Sequence, residues 1–377
     1  MPRIRRRRRA GVAAALAATP FALAFRFAFL YRTRAGFPRP RPPLVTPADI
    51  GLPFEETTVT APNAQLPAWF VPARGSARGP GIALVHGWES ARDRLLPTAR
   101  FLHAAGFHVL LIDIRGHGAN PPEHLPITCG EFGVDALAAF DALLQRPEVT
   151  DGAIVGHSMG GIGAILAAAW DGRVRAVVST SAPADPYRLT RLTFDLVRLP
   201  LPNVIAYPLA MLTTRVFLRP RGHSVSSISA YAALQRYRGP VLLIHGDADD
   251  VVPLTHFRRL LRAARLGRRT DDALPGTPGP VESLVVPGGR HSWLYEFPAY
   301  RRTVARFLTE ALGGPLSPDE AADRAEAVDA RRHEVWDPIL NSTSFAPRGL
   351  RALAAIVWPR LAGPPPSFPD EPAPLDA

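Results

Sequence analysis

The stretch from Gly152 to Trp170 constrains this chain more than any other. An apolar run (GAIVG, Gly152–Gly156) leads into Gly156-His157-Ser158-Met159-Gly160, and Met159–Trp170 is built almost wholly of small and aliphatic residues. A short, continuously apolar run is what a strand covered on both faces requires. A sharp strand-to-helix turn that leaves a serine hydroxyl exposed needs small residues on either side of that serine. The three fixed positions of G-x-S-x-G are a weak signal alone, and the strand before and helix after make them specific. Gly161, Gly163 and Ala164 let the helix pack close beneath the turn.

The rest of the body repeats the alternation. Two short strand-like pieces, Thr57–Thr60 and Ala68–Pro72, precede the apolar runs Gly81–His86, Phe107–Asp113, Val174–Ser179, Val241–His245 and Val281–Val286. Helical stretches at about 91–105, 133–144, 159–170 and 254–266 separate them. Strands joined through helices imply right-handed crossovers and a mostly parallel sheet covered on both faces. The expected fold class is α/β: one domain over residues 55–312, with an insertion at about 185–234. That insertion is rich in Leu, Pro, Tyr and Phe and lacks strand alternation. It reads as a cap over a pocket, or as a structural insertion with a small core of its own. Residues 313–377 form a C-terminal extension, helix-like at first and Pro-rich at its end.

Net charge matters only once it is located. The chain carries a formal +11, but residues 1–41 hold eleven Arg and no Asp or Glu. Removing those eleven from 44 basic residues leaves 33, which matches the 33 acidic ones. A neutral body excludes a basic groove for nucleic acid. The single cysteine, Cys129, excludes an intrachain disulfide framework and a cysteine-built zinc site. Residues 1–9 are a basic n-region, and residues 10–31 an apolar stretch interrupted by Pro20 and Arg26. Twenty-two helical residues span roughly 33 Å, about one bilayer core. The segment is expected to be a membrane anchor in contact with lipid, with the body outside the cytoplasm. The alternatives are a secretory signal cleaved near Ala22-Leu23-Ala24, which gives a secreted protein, and a basic arm that never enters a membrane. Residues 32–54 read as a Pro-rich linker.

A serine hydroxyl is a poor nucleophile at neutral pH, so Ser158 needs a base, and the base needs an orienting carboxylate. After such a turn the chain order is serine, acid, histidine. The loop after Val241–His245 offers Asp247, Asp249 and Asp250, of which Asp249 is the expected acid. Of the later histidines, His256 falls within a helix and His333 in the charged extension. His291 stands in a flexible loop after the last strand and is the expected base. Backbone N–H groups stabilise an oxyanion well because they are fixed before reaction. One is expected from Met159, at the positive end of its helix, and one from Trp88, in the loop after Gly81–His86. His86 and the Asp113–Gly118 turn read as bracing, His157 as a neighbour without a role of its own, and Cys129 as a buried small residue.

Five motifs in order now carry a resemblance: LVHGWES (Leu84–Ser90), DIRGHG (Asp113–Gly118), GHSMGG (Gly156–Gly161), HGDADDVVP (His245–Pro253) and PGGRHSW (Pro287–Trp293). Over about residues 55–312 the chain resembles the α/β-hydrolase superfamily, in the branch of monoglyceride-lipase-like and serine-aminopeptidase-like hydrolases. The resemblance implies an eight-stranded sheet, a Ser158–His291–Asp249 triad and no cofactor. The expected activity is hydrolysis of carboxylic esters with an apolar acyl portion. An aminopeptidase or an acyltransferase on the same residues is the alternative, and a binding protein without turnover a more distant one. The basic character of the insertion, with Arg188, Arg191, Arg198, Arg215, Arg219 and Arg221, disfavours a site for a peptide ammonium.

Overall fold

The computed structural model describes residues 2–75, 78–196, 201–219, 221–268 and 278–331. Its helix α1, Pro2–Gly36, precedes the sheet. Strands β1 (Glu55–Ala61) and β2 (Ala64–Val71) form a hairpin, followed by β3 (Gly79–Val85), α2 (Leu96–Ala104) and β4 (His108–Ile112). Then come α3 (Cys129–Leu144), β5 (Val149–His157), α4 (Met159–Trp170) and β6 (Ala176–Thr180). Helices α5 (Pro186–Leu196), α6 (Asn203–Leu212) and α7 (Ala230–Arg236), with a π-helical turn at Thr213–Phe217, lie between β6 and β7 (Val241–Gly246). The chain continues through α8 (Leu254–Gly267), β8 (Val281–Val286), α9 (Pro298–Leu312) and α10 (Pro318–Ala327).

The eight strands are ordered β1-β2-β4-β3-β5-β6-β7-β8. β2 pairs antiparallel with both β1 and β4, and every pair from β4 to β8 is parallel. The apolar runs of β3, β4, β6 and β7 are continuous because these strands bury both faces, with alternate residues entering opposite cores. Ala83, Val85, Leu110, Ile112, Ile154 and Leu243 join α3, α4 and α8 on one face. Ile82, Leu84, Val109, Leu111, Val155 and Ile244 join α2, α9 and α10 on the other. β3 and β5 thereby bring their C-terminal ends, and the loops that follow them, to one edge of the sheet, where α/β sheets bind ligands.

The Pro-rich stretch after α1 lies along this body. Val45 and Leu52 are buried in the second core, and the Leu44 N–H donates to Asp93 at 2.9 Å. At the other end, Ser317 and Glu320 cap α10 reciprocally. Ala321 and Ala325 of α10 are buried, and the Arg301 guanidinium donates to the Ala325 and Glu326 carbonyls at its C-terminus. The Pro-rich tail expected at the end of the chain lies outside the described residues.

The spanning anchor expected at residues 10–31 is not supported by the fold. Among the described residues, no helix is long and apolar enough to cross a membrane. Helix α1 opens on Arg3 and Arg5–Arg9 and carries Arg26, Arg32 and Arg34. One face of its C-terminal half packs on protein. Phe27 and Tyr31 pack against Phe194, Ala206 and Ala210, and the Tyr31 hydroxyl donates to Thr193 Oγ1 at 2.7 Å. Phe25 and Phe29 meet Phe217 edge to face.

Candidate active site

Ser158 stands between β5 and α4 with φ +54° and ψ −118°, a conformation L-residues rarely adopt. Its N–H is held by the Thr180 carbonyl at 2.8 Å. The flanking glycines are steric necessities. A Cβ on Gly156 would stand 2.1 Å from the Gly160 carbonyl oxygen, and one on Gly160 would stand 2.2 Å from that of Val85. The turn closes only because both side chains are missing, which is the physical content of the motif.

The three side chains named from the sequence meet here. His291 Nε2 lies 3.1 Å from Ser158 Oγ, and His291 Nδ1 lies 2.9 Å from Asp249 Oδ2. The Asp249 side chain is fully buried, whereas that of His291 is 13% exposed. The other Asp249 oxygen accepts the Val251 and Val252 N–H groups at 2.9 and 2.7 Å. Burial by itself would raise the Asp249 carboxyl. The His291 hydrogen bond and charge, with the Val252 N–H, outweigh burial and hold it below its ordinary value. The neighbouring acids differ: Asp250 is exposed, and Asp247 accepts the Gly288 N–H at 2.7 Å, tying the two loops together. Gly246 lets those loops touch, since a Cβ there would stand 2.0 Å from the Gly289 carbonyl oxygen.

Met159 opens α4, so its backbone sits at the positive end of that helix. Trp88 follows Gly87, where a Cβ would come 3.1 Å from Ser158 Cβ; the 86–89 loop therefore lies against the serine. His86 holds that loop. Its Nδ1–H donates to the Gly87 carbonyl at 2.7 Å, and its Nε2 accepts the Ile114 N–H at 3.1 Å. Desolvation pushes the His86 pKa down to about 4, so the ring is neutral in this role. Beneath the loop, buried Asp113 pairs with Arg92 and accepts the Ala119 N–H at 2.9 Å.

The remaining candidates stand apart from this group. His256 sits in α8 with Nδ1 accepting the Ala184 N–H, Cys129 is buried with its thiol pushed up to about 12, and His333 lies outside the described residues. Among the described residues, no cluster of three or more His, Cys, Asp or Glu could hold a metal ion. A surface cleft of about 990 Å³ lined by Arg258, Leu261, Arg262 and Arg265 contains none of the three site residues. Two contacts had no sequence signal. His245 Nε2 comes within 3.3 Å of Asp249 Oδ2 while bonded to the Val252 carbonyl, and His157 reaches the backbone of His291.

With fold and geometry in place, comparison with known proteins gives the class. The model of the alpha/beta hydrolase family matches residues 82–301, more than half of the chain, and the protein belongs to that family. The uncharacterized protein Rv2307c of Mycobacterium tuberculosis is 29% identical over 253 residues, covering 67% of this chain and 77% of the relative. Human protein ABHD12B is 25% identical over 242 residues, 61% of each chain. Among solved structures, the Pyrococcus furiosus esterase Pf2001 is similar with a TM-score of 0.56 and 20% identity, over 74% of this chain and 99% of that one. Peptidases also occur among the structures that share the fold. At such identities these likenesses show the fold alone.

Proposed function

We propose that this α/β hydrolase cleaves carboxylic esters through an acyl-enzyme on Ser158. The observation that carries the reading is the unbroken line from Ser158 Oγ through His291 to buried Asp249, at 3.1 and 2.9 Å. His291 Nε2 takes the hydroxyl proton as Oγ attacks the ester carbonyl carbon. The carbonyl π electrons move onto oxygen, where the Met159 and Trp88 N–H groups stabilise the charge. Asp249 holds the Nδ1–H and stabilises the imidazolium. The tetrahedral centre collapses, the C–O bond to the alcohol breaks, and His291 returns the proton to the leaving oxygen. Water then repeats the sequence: His291 deprotonates it, it attacks the acyl carbon, and the acid departs as Ser158 regains its proton.

The α5–α7 segment acts in this proposal as a cap, and its apolar composition favours an ester with an apolar acyl portion. Attachment to lipid through the N-terminal segment belongs to the proposal. Leu16, Phe21, Leu23 and Phe25 of α1 are exposed, beside an arginine-rich end, which suits an anionic interface. The discriminating assay is hydrolysis of a chromogenic ester series of increasing acyl length, beside Ser158→Ala. Turnover that disappears in the variant supports the reading, and a folded enzyme inert toward every ester rejects it. Co-flotation with anionic but not zwitterionic vesicles supports the lipid contact, and flotation with neither rejects it.

A further inference from the structure

The residue between the first glycine and the serine of the elbow does more than its sequence position requires. His157 Nε2 lies 2.7 Å from the His291 carbonyl oxygen, and the two rings stand 5.0 Å apart at 55°. A carbonyl can only accept, so Nε2 carries the proton and donates. The other ring nitrogen neighbours the oxyanion-side loop: a Cβ on Gly87 would come 3.4 Å from His157 Nδ1. One partly buried ring therefore touches the elbow, the loop of the base and the loop of Trp88.

His291 needs such a tether. Its loop is pinned at its start, where the Gly288 N–H meets Asp247 and the Ala248 N–H meets the Gly289 carbonyl. Beyond that point the backbone passes from Gly288 at φ +70° to Trp293 at φ +68°, with the His291 side chain still partly exposed. The hydrogen bond from His157 fixes the His291 peptide two residues past the pinned glycine. Because His157 and Ser158 are adjacent, that bond sets the distance between base and nucleophile directly.

We propose that His157 is a positioning residue: its Nε2–H holds the His291 peptide so that the His291 imidazole stays within reach of Ser158 Oγ. Desolvation holds the His157 pKa at about 4, and His291, Asp249 and His245 are the titratable groups around it, so the neutral donor persists through the neutral range. The inference rests on the serine mechanism proposed above.

Two substitutions separate the hydrogen bond from the ring. His157→Phe keeps a ring of similar size and removes the donor; His157→Gln places an amide N–H where Nε2 stood. The Phe variant should lose about 10- to 100-fold in kcat, as expected for a base displaced by about 1 Å, with KM changed less than about twofold. The Gln variant should recover most of that loss, and both should melt close to the parent enzyme. If the Phe ring prevents folding, His157→Leu takes its place as the donor-free variant. An unchanged kcat in the donor-free variant, a loss confined to KM, or a Gln variant as slow as the donor-free one would overturn the proposal. Failure of the serine reading is read separately: Ser158→Ala would then retain turnover, whatever His157 does.

Discussion

Acid should destabilise this protein well above the range in which exposed carboxylates titrate, because of its buried histidines. His86, His117 and His256 are buried, and desolvation holds their pKa values at about 4, about 3 and about 4 against an ordinary 6.5. The sign follows from linkage. The folded state refuses protons that the unfolded chain accepts below pH 6.5, so the stability present above that pH is lost as pH falls toward 4. Each such group changes stability by about 1.4 kcal/mol per pH unit, so these three contribute about 4 kcal/mol per unit between pH 6 and 4.5, and His157, also held at about 4, adds to it. Against a typical total of about 5–15 kcal/mol, that is a steep loss. Asp113 and Asp135, whose carboxyls burial pushes up despite Arg92 and Arg115, oppose the trend at its acid end. Urea unfolding at half-unit steps from pH 7.5 to 4.5 measures the slope. His117→Asn keeps a donor for the Arg115 carbonyl, to which His117 Nδ1 now bonds at 2.9 Å, and removes one titration. It should reduce the slope by about 1.4 kcal/mol per unit. A flat profile from pH 6.5 to 5, or an unaltered slope in the variant, would refute the reasoning.

Other consequences follow from single contacts. Asp249→Asn should lower kcat by roughly 10³–10⁴-fold because the amide no longer selects the His291 tautomer. Asp247→Asn, which loses only a loop tie, should cost less than tenfold, and steady-state kinetics on both decides which acid matters. Gly160→Ala drives a Cβ to 2.2 Å from the Val85 carbonyl oxygen and should cost about 3 kcal/mol or more in thermal or urea unfolding. Tyr31→Ala removes a fully buried ring and its bond to Thr193, worth about 3 kcal/mol or more of packing. That loss should fall on the seat of α1, so limited proteolysis after Arg26 or Arg32 should speed up while the sheet domain melts unchanged.

Where the sequence was transparent, one physical constraint acted locally. β3, β4, β6 and β7 are buried on both faces and had to be continuously apolar, so their positions could be read directly. The elbow was legible because Gly156 answers a clash with the Gly160 carbonyl inside the motif itself, whereas the Val85 carbonyl that Gly160 must clear lies some 75 residues earlier. The acid was harder. Asp247, Asp249 and Asp250 share one loop, and what separates them is how that loop meets residues 287–291 some forty positions later. His157 carried no signal, since its partner is a backbone carbonyl 134 residues away. The apolar N-terminal run was visible, but not that Phe27 and Tyr31 face Phe194, because an apolar face fits a lipid or a protein surface equally well.

The central claim is that Ser158 is the nucleophile of an ester hydrolase, and covalent labelling tests it most directly. A fluorophosphonate probe loses fluoride as it phosphonylates an activated serine. Incubated with the full-length protein and followed by peptide mass spectrometry, it should add one adduct, on the peptide holding Ser158, and abolish turnover of the chromogenic ester. Ser158→Ala should neither label nor hydrolyse. An adduct on another residue that extinguishes activity, or ester turnover surviving in Ser158→Ala, would contradict the account.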